Sequence, residues 1–190
     1  MVSLVLIILA IPLFICICLL LLVYQRKIFF LQKRPGLNEQ TFTVFKFRTM
    51  KDVVGEVPEQ QRITAAGRLL RKTNLDELPQ LFNVLSGSMT LVGPRPFLME
   101  YLPKYNSIQK RRHEVKPGLT GWAQINGGNN ISWERKLDYD IEYVKRISLR
   151  FDLKILLTTF FKIITFKGFD TGEIIPEKFN GSSGQESQIK

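Results

Sequence analysis

The chain has 190 residues, with 27 lysines and arginines against 17 aspartates and glutamates, two cysteines and one histidine. A hydrophobic content of 45% excludes an intrinsically disordered protein. The single histidine, His113, excludes metal sites that need two histidines, and Cys16 and Cys18 leave residues 24–190 without a disulfide framework. The net charge of +10 favours an anionic partner: phosphate, nucleic acid or membrane lipid.

Residues 4–23 carry no charge and predict a membrane helix within the expected N-terminal segment 1–23. A helix of this length spans about 30 Å, the thickness of one bilayer core. Pro12 is expected to kink it near its middle. The helix then either crosses the membrane or bends at Pro12 and returns, and the residues alone leave both topologies open. The positive-inside rule places the following chain in the cytoplasm because of Arg26, Lys27, Lys33 and Arg34.

The elements predicted for residues 34–144 are short, as expected from the spacing of apolar residues and of Gly and Pro. In chain order they are a turn at 34–36, a strand at Thr41–Phe47, a loop at 51–61, helices at 63–72 and 74–85, a strand at 89–92, a helix at 99–113 with a break or kink at Pro103, a glycine-rich loop at 116–128 and a helix at 131–144. Gly87 is expected to end the second of these helices.

Residues 149–166 predict a second helix that could contact a membrane. Its polar residues stand four apart and form one stripe on an otherwise apolar helix: Arg150, Lys154, Thr158 and Lys162. Such a helix either lies on anionic lipid or packs in the core with one wet face, and the pattern leaves both interpretations open. Residues 178–190 are rich in Gly, Ser and Gln and predict a flexible tail.

Two single residues have mainly structural interpretations. His113 follows Lys110, Arg111 and Arg112, so a solvated side chain is expected. Trp122 lies in the glycine-rich loop, where packing is a better explanation than stacking on a nucleobase.

The most informative segment is residues 73–83, TNLDELPQLFN. Thr73 or Asn74 is predicted to cap a helix, with Glu77 completing a capping box and Asp76 beside it in the first turn. A purely structural role is one interpretation, since acidic residues in a first turn gain about 0.3–1 kcal/mol from the helix dipole.

Basic residues around this segment favour a chemical role. Arg68, Arg71 and Lys72 precede it, and Arg95 follows between two prolines. A carboxylate that faces such cations suits phosphate chemistry, in which aspartate binds Mg²⁺ or acts as a nucleophile. The chain has no Walker A motif, no G-x-G-x-x-G motif and no kinase signature, so a standard nucleotide-binding fold is not indicated.

Four motifs occur together and in order along the chain. They are KFRTM from Lys46, LDELPQLFNVLSG from Leu75, LVGPRP from Leu91 and KPGLTGWAQING from Lys116. In this combination the chain resembles the bacterial monotopic phosphoglycosyl transferases, and most of all their smallest members. It departs from them at the bend, where Ile11 rather than Ser precedes Pro12.

The resemblance implies a small, irregular α/β-like domain with a re-entrant N-terminal helix and interfacial amphipathic helices. Residues 24–177 would form a catalytic domain on the cytoplasmic face of the bacterial inner membrane. The implied reaction transfers a sugar 1-phosphate from a UDP-sugar to polyprenyl (undecaprenyl) phosphate and releases UMP, through a covalent aspartyl-phosphosugar intermediate. This is the first membrane step of glycoconjugate assembly, and downstream glycosyltransferases would use its product.

The resemblance also implies roles for individual residues. Asp76 corresponds to the nucleophile and to a contact of Mg²⁺, and Glu77 to its partner, which activates or positions the acceptor phosphate. Arg95 would hold phosphate, and Arg71 and Lys46 are weaker phosphate ligands.

An alternative of another class is a membrane-tethered basic module that binds nucleic acid or anionic lipid without catalysis. The net charge of +10 permits it. The basic residues are scattered among turns and form no nucleic-acid motif, so we expect no nucleic-acid partner. In a third interpretation, Asp76 and Glu77 only cap a helix in a scaffold subunit.

Overall fold

The computed structural model describes residues 2–25, 27–52, 55, 57–165 and 178–181. In chain order the described elements are α1 (Val2–Gln25), β1 (Phe29–Pro35), β2 (Thr41–Phe47), α2 (Glu59–Arg62), α3 (Ala65–Lys72), α4 (Gln80–Leu85), β3 (Thr90–Val92), α5 (Ser107–Lys110), β4 (Gly118–Thr120), α6 (Trp122–Ile125), α7 (Trp133–Arg146) and α8 (Leu149–Thr165). Short 3₁₀ turns join several of them. The mixture of helices and strands in one small domain confirms the predicted α/β-like fold class.

The N-terminal helix α1 is the one described helix that is long and apolar enough to cross a membrane. It has 24 residues and continues through Pro12 without interruption. A bend at this proline therefore stays a prediction. The inner half of α1 packs on the domain, where Phe14, Ile17 and Leu21 contact a core cluster with Phe47.

The outer half of α1 is mostly exposed. Seven large apolar side chains between Leu4 and Leu13 are 39% to 71% exposed. A helical segment of this length rises about 15 Å, which is half of a bilayer core of about 30 Å.

An antiparallel hairpin of β1 and β2 follows α1, with Phe29 opposite Phe47 and Pro35 opposite Thr41. Strand β2 has the bounds that its alternating residues predicted. Strand β1 was not predicted, and the connecting turn lies at residues 36–40 rather than at 34–36. The predicted loop at 51–61 is interrupted by the short α2 near its end.

Two short helices, α3 and α4, follow the hairpin. Helix α3 confirms the predicted basic helix, and Thr64 caps it by accepting a hydrogen bond from the Gly67 amide at 2.9 Å. The predicted helix at 74–85 is instead a 3₁₀ turn, Leu75–Glu77, followed by α4. The predicted capping box is wrong, because Asn74 adopts a left-handed conformation (φ 54°) and its side chain makes no capping hydrogen bond.

The second half of the domain is built on a parallel pair of strands, in which β3 aligns Thr90 with Gly118 of β4. A Cβ atom at Gly118 would lie 2.0 Å from the Gly93 amide nitrogen, so the two chains approach as closely as only glycine allows. The strand predicted at 89–92 and the helix predicted at 131–144 are confirmed as β3 and α7.

Two predictions in this half are wrong. The helix expected at 99–113, with a break at Pro103, consists of a 3₁₀ turn (Met99–Lys104), the short α5 and a second 3₁₀ turn (Arg111–Glu114). The interruption after Pro103 agrees with the expected break, but a continuous helix from there to His113 is wrong, because α5 starts at the capping residue Asn106 and ends at Lys110. The loop expected at 116–128 contains β4 and α6.

Helix α8 confirms the helix predicted at 149–166. Its polar residues, however, do not form one stripe that faces solvent. Thr159 shares a hydroxyl–hydroxyl hydrogen bond with Thr120, and Lys162 donates to the Ile125 carbonyl at 2.7 Å, so part of the polar face binds the domain. Large apolar side chains point outward and are 51% to 86% exposed: Leu149, Leu153, Leu157, Phe161 and Ile164. The free face of α8 is therefore mainly apolar.

The described part of the predicted tail is anchored. Phe179 is 1% exposed in an aromatic cluster with Tyr101 and Trp133, and its carbonyl accepts a hydrogen bond from Lys104 at 2.8 Å. The flexible tail predicted from residue 178 is thus wrong for residues 178–181, and residues 182–190 lie outside the described part of the chain.

The expectation of a solvated His113 is also wrong. Its side chain is buried, and Nδ1 lies 3.2 Å from the Gly36 carbonyl. Burial, followed by the charge of Arg112, lowers the pKa of His113 to about 4, so the imidazole is neutral at pH 7. Trp122 packs on Phe151 and donates to Glu142, as the packing interpretation predicted.

Candidate active site

Four separate segments bring the five predicted site residues together. Asp76 and Glu77 lie on the 3₁₀ turn between α3 and α4. Lys46 comes from β2, Arg71 from the last turn of α3, and Arg95 from the segment after β3. The charges of all three cations act on Asp76. The resulting site is a pair of neighbouring carboxylates facing a cluster of cations.

Glu77 forms ion pairs with two of these cations, Lys46 and Arg95. Its side chain is 10% exposed, Lys46 Nζ lies 2.7 Å from Oε1, and Arg95 Nη1 lies 3.1 Å from Oε2. Arg95 Nη2 also donates to Oε1, which makes the Arg95 contact bidentate. Burial alone would raise the pKa of Glu77, but Arg95 and Lys46 outweigh it and hold the pKa well below its usual range. Glu77 is therefore a permanent anion.

Asp76 has the opposite electrostatic character. Burial, followed by the negative charge of Glu77, raises its pKa to about 6, although Lys46, Arg95 and Arg71 lower it. Glu77 accepts hydrogen bonds from Lys46 and Arg95, and the charges of Lys46, Arg95 and Arg71 all lower the pKa of Asp76. At pH 7 most Asp76 side chains are ionised but poorly solvated, which suits a nucleophile.

Two residues that were not singled out from the sequence hold the cluster in place. The Thr49 hydroxyl accepts a hydrogen bond from Arg71 Nε at 2.9 Å. The buried amide of Asn83 accepts from the Phe45 amide at 3.0 Å and donates to the Thr43 carbonyl at 2.7 Å. Both lie inside motifs that carry the resemblance, KFRTM and LDELPQLFNVLSG. Asn83 thereby ties α4 to β2, so that Lys46 and Glu77 keep their separation.

Arg34 also lies near the site, although its sequence position suggested only a role in membrane orientation. Its Nη1 lies 3.5 Å from the Pro96 carbonyl. Burial, followed by the charge of Arg95, lowers its pKa to about 10. Arg34 remains a cation at pH 7 and adds to the positive potential around Arg95.

The donor set of the site fits Mg²⁺ in one specific way. Mg²⁺ commonly takes one or two carboxylates and fills its other positions with water and substrate phosphate oxygens. Asp76 could supply one carboxylate, while Glu77 is engaged by Lys46 and Arg95. The described residues hold no group of three or more His, Cys, Asp or Glu side chains that could bind a metal. A magnesium ion here would therefore depend on the oxygens of a phosphate substrate.

Comparisons with known proteins agree on one family. The family model described as bacterial sugar transferase matches residues 1–166. An uncharacterized sugar transferase of Bacillus subtilis, EpsL, is 53% identical over 165 residues, which cover 84% of this chain and 82% of that protein.

Two further relatives are UDP-glucose:undecaprenyl-phosphate glucose-1-phosphate transferases. The protein of Xanthomonas campestris is 41% identical over 72% of this chain and 31% of its own length. The protein of Escherichia coli is 41% identical over 71% of this chain and 32% of its own length. The chain thus spans most of EpsL and about a third of these two longer relatives.

Proposed function

Because this chain belongs to the bacterial sugar transferase family, we propose that it transfers a sugar 1-phosphate from a UDP-sugar to undecaprenyl phosphate and releases UMP. The names of two relatives support this acceptor and this class of donor. The observation that carries the proposal is the pairing of the poorly solvated Asp76 with the permanently ionised Glu77 beside three cations. Membership of an enzyme family sets aside the alternatives of a non-catalytic basic module and of a scaffold subunit.

In the first step, a carboxylate oxygen of Asp76 attacks the phosphorus that carries the sugar. The bond from this phosphorus to the bridging oxygen breaks, and that oxygen leaves with UMP. The sugar phosphate remains on Asp76 as an acyl phosphate. Arg95, Arg71 and Lys46 hold the phosphate oxygens and offset the charge that would otherwise repel the carboxylate. Mg²⁺ bound by Asp76 and the substrate would add to this charge neutralisation.

In the second step, a phosphate oxygen of undecaprenyl phosphate attacks the same phosphorus. The bond to Asp76 breaks, the carboxylate is restored, and the sugar leaves as an undecaprenyl diphosphate conjugate that downstream glycosyltransferases can extend. An acceptor phosphate with a second pKa of about 6 is already ionised at pH 7, so the step needs no general base.

The lowered pKa of Glu77 favours a positioning role over proton transfer. A carboxylate that stays ionised far below pH 7 is a weak base. Its contacts with Lys46 and Arg95 instead fix where these two cations meet phosphate. Of the two roles that the resemblance implies for Glu77, positioning is the one that this geometry supports.

We propose that the domain lies on the cytoplasmic face of the inner membrane. Exposed apolar groups are also found outside α1: Phe29, Phe30 and Leu31 of β1 are 40% to 56% exposed, and the outer face of α8 is apolar. The free half of α1 reaches only about one leaflet deep. We propose that α1 bends at Pro12 in the membrane and returns to the cytoplasmic face, because a proline in a helix interior kinks the helix and a segment that returns needs to reach only about one leaflet deep.

Cysteine labelling tests this topology. A cysteine placed at position 2, with Cys16 and Cys18 replaced, should react with a membrane-impermeant reagent only from the cytoplasmic side of oriented vesicles. Labelling from the opposite side would show that α1 crosses the membrane.

The proposed reaction is tested with a panel of UDP-sugars. Purified protein in detergent with Mg²⁺ should release UMP continuously from at least one UDP-sugar, and only when undecaprenyl phosphate is present. The lipid product should gain the mass of one sugar phosphate. If no UDP-sugar in the panel gives UMP or a modified lipid with protein that is folded, the proposal is wrong.

A further inference from the structure

A second arginine–carboxylate pair, Arg112 and Asp140, contacts the backbone of the Pro94-Arg95-Pro96 segment. Arg112 donates from Nε and Nη2 to one oxygen of Asp140, at 3.0 Å and 2.8 Å, and both side chains are 1% exposed. Neither residue belongs to the reaction proposed above, and neither was expected to be buried. The pair links the 3₁₀ turn Arg111–Glu114 to α7.

Arg112 also contacts the segment that carries Arg95. The same Nη2 donates to the backbone carbonyl of Arg95 at 2.5 Å. The guanidinium lies over the ring of Phe97, 4.3 Å from its centroid. Arg95 is therefore held at both ends: Glu77 binds its guanidinium, and Arg112 binds its backbone.

A gain in stability alone does not account well for this pair. Taking two charges out of water is costly, and buried ion pairs are often no better than apolar residues of the same size. The planar guanidinium can, however, bind a carboxylate and a carbonyl at once while it stacks on a ring, which a lysine ammonium cannot do. This combination fixes the backbone of one particular residue, Arg95.

We propose that Arg112, oriented by Asp140, is a positioning residue that sets the direction of Arg95 toward the substrate phosphate. This inference rests on the function proposed above. Contacts at the reacting phosphate depend on placement, since a displacement of about 1 Å can reduce a rate about 100-fold. Pro94 and Pro96 limit the backbone on either side, and Arg112 removes the freedom that remains between them.

The test compares two identical substitutions at neighbouring positions. Arg112→Lys should lower kcat/KM for UMP release about 10- to 100-fold. Arg111→Lys is the matched control, because Arg111 is exposed and pairs only locally with Glu114 at 2.9 Å. We expect it to change kcat/KM by less than about twofold. Unchanged kcat/KM in folded Arg112→Lys protein would overturn the proposal.

A control for general destabilisation comes from Leu137→Ala. Leu137 is 1% exposed on α7, the helix that carries Asp140, and packs in the aromatic cluster around Tyr101. This variant should lose thermal stability but keep its activity per folded molecule at low temperature. If Leu137→Ala loses as much activity as Arg112→Lys, the loss reflects stability and the proposal is wrong.

A double-mutant cycle separates positioning through Arg95 from a structural role. With Arg95→Lys already present, adding Arg112→Lys should cost less than about twofold, because the contact that Arg112 aligns is gone. The same fold-loss in both backgrounds would show that Arg112 acts independently of Arg95, which would overturn the proposal.

Hydrogen–deuterium exchange tests the geometry without any substrate. Arg112→Lys should speed exchange of the Arg95 and Phe97 amides, while Arg111→Lys should not. Unchanged exchange in Arg112→Lys would overturn the inference. A wild-type protein that releases no UMP would instead contradict the proposed function, and the exchange result would still decide whether Arg112 fixes this segment.

Discussion

Two arginine–carboxylate pairs flank the same short segment and differ in their access to water. The Arg95 side chain is 37% exposed in its pair with Glu77, whereas both members of the Arg112–Asp140 pair are 1% exposed. The first pair can rearrange to admit a phosphate, and the second cannot exchange partners without unfolding its surroundings. The same chemical pair thus occurs once at the proposed reaction site, open to water, and once sealed in the interior of the domain.

The largest expected effect comes from the open site. Asp76→Asn should reduce UMP release by at least about 10⁴-fold, which corresponds to about 5.5 kcal/mol of barrier height. The amide cannot form the acyl phosphate and keeps nearly the same shape. Asp138→Asn, at an exposed position on α7, is the control and should behave as wild type. Substantial activity in folded Asp76→Asn protein would rule out the nucleophile assignment.

The same substitution should leave the fold as stable as before or more stable. The pKa of Asp76 is raised from 3.8 to about 6 in the folded state. A raised carboxylate pKa means that ionisation above about pH 6 costs folding free energy, and asparagine removes this cost. Thermal unfolding at pH 7.5 should therefore show an equal or higher midpoint for Asp76→Asn, and a marked decrease would contradict this electrostatic description.

Burial raises the pKa of Asp140 as well, although Arg112 opposes this. The sealed pair should nevertheless respond in the opposite way, because Asp140 compensates a guanidinium that is itself buried. Asp140→Asn leaves the buried Arg112 charge without its carboxylate, and breaking such a pair typically costs about 3–5 kcal/mol. The midpoint of thermal unfolding should fall well below that of Asp76→Asn. If Asp140→Asn were as stable as wild type, the contrast between an open and a sealed pair would fail.

Arg95→Lys is expected to have an intermediate effect on the reaction. Lysine keeps the charge but loses the planar fork that binds two oxygens at once, so kcat/KM should fall about 100-fold. Steady-state UMP release at saturating acceptor measures this. Equal activity would mean that Arg95 contributes only charge to the site.

Sequence patterns were sufficient where the determining contacts are local. The alternation in Thr41–Phe47 and the helical spacing of α3 and α8 predicted the correct elements. The motifs contained four of the five proposed site residues, and the fifth, Arg71, lies four residues before the second motif. The helix expected at 74–85 failed because Glu77 bonds to Lys46 and Arg95 instead of to the helix end.

Contacts between distant parts of the chain could not be predicted in this way. Arg112 and His113 follow two other basic residues, a run that is typical of solvated surface. They are buried because Asp140, 28 residues later, pairs with Arg112, and because the Gly36 carbonyl lies beside His113. Nothing local to residues 110–113 indicates either partner.

The smallest expected effect is a shift in pH dependence. Because Asp76 must be ionised to attack, kcat/KM should decline below about pH 6. Lys46 lowers the pKa of Asp76, so Lys46→Met should raise this pKa and move the decline to higher pH. Lys145→Met, at an exposed position on α7, should leave the profile unchanged. A shift to lower pH in Lys46→Met would contradict the assigned charge pattern.

The covalent step is tested most directly by the mass of the intact protein. With UDP-sugar and Mg²⁺ but no acceptor, the enzyme should release at most one UMP per active site and gain the mass of one sugar phosphate, located on Asp76 by peptide mapping. Adding undecaprenyl phosphate should remove the added mass and form the lipid product. If no adduct forms at any time while turnover with acceptor is normal, transfer is direct and Asp76 is not the nucleophile.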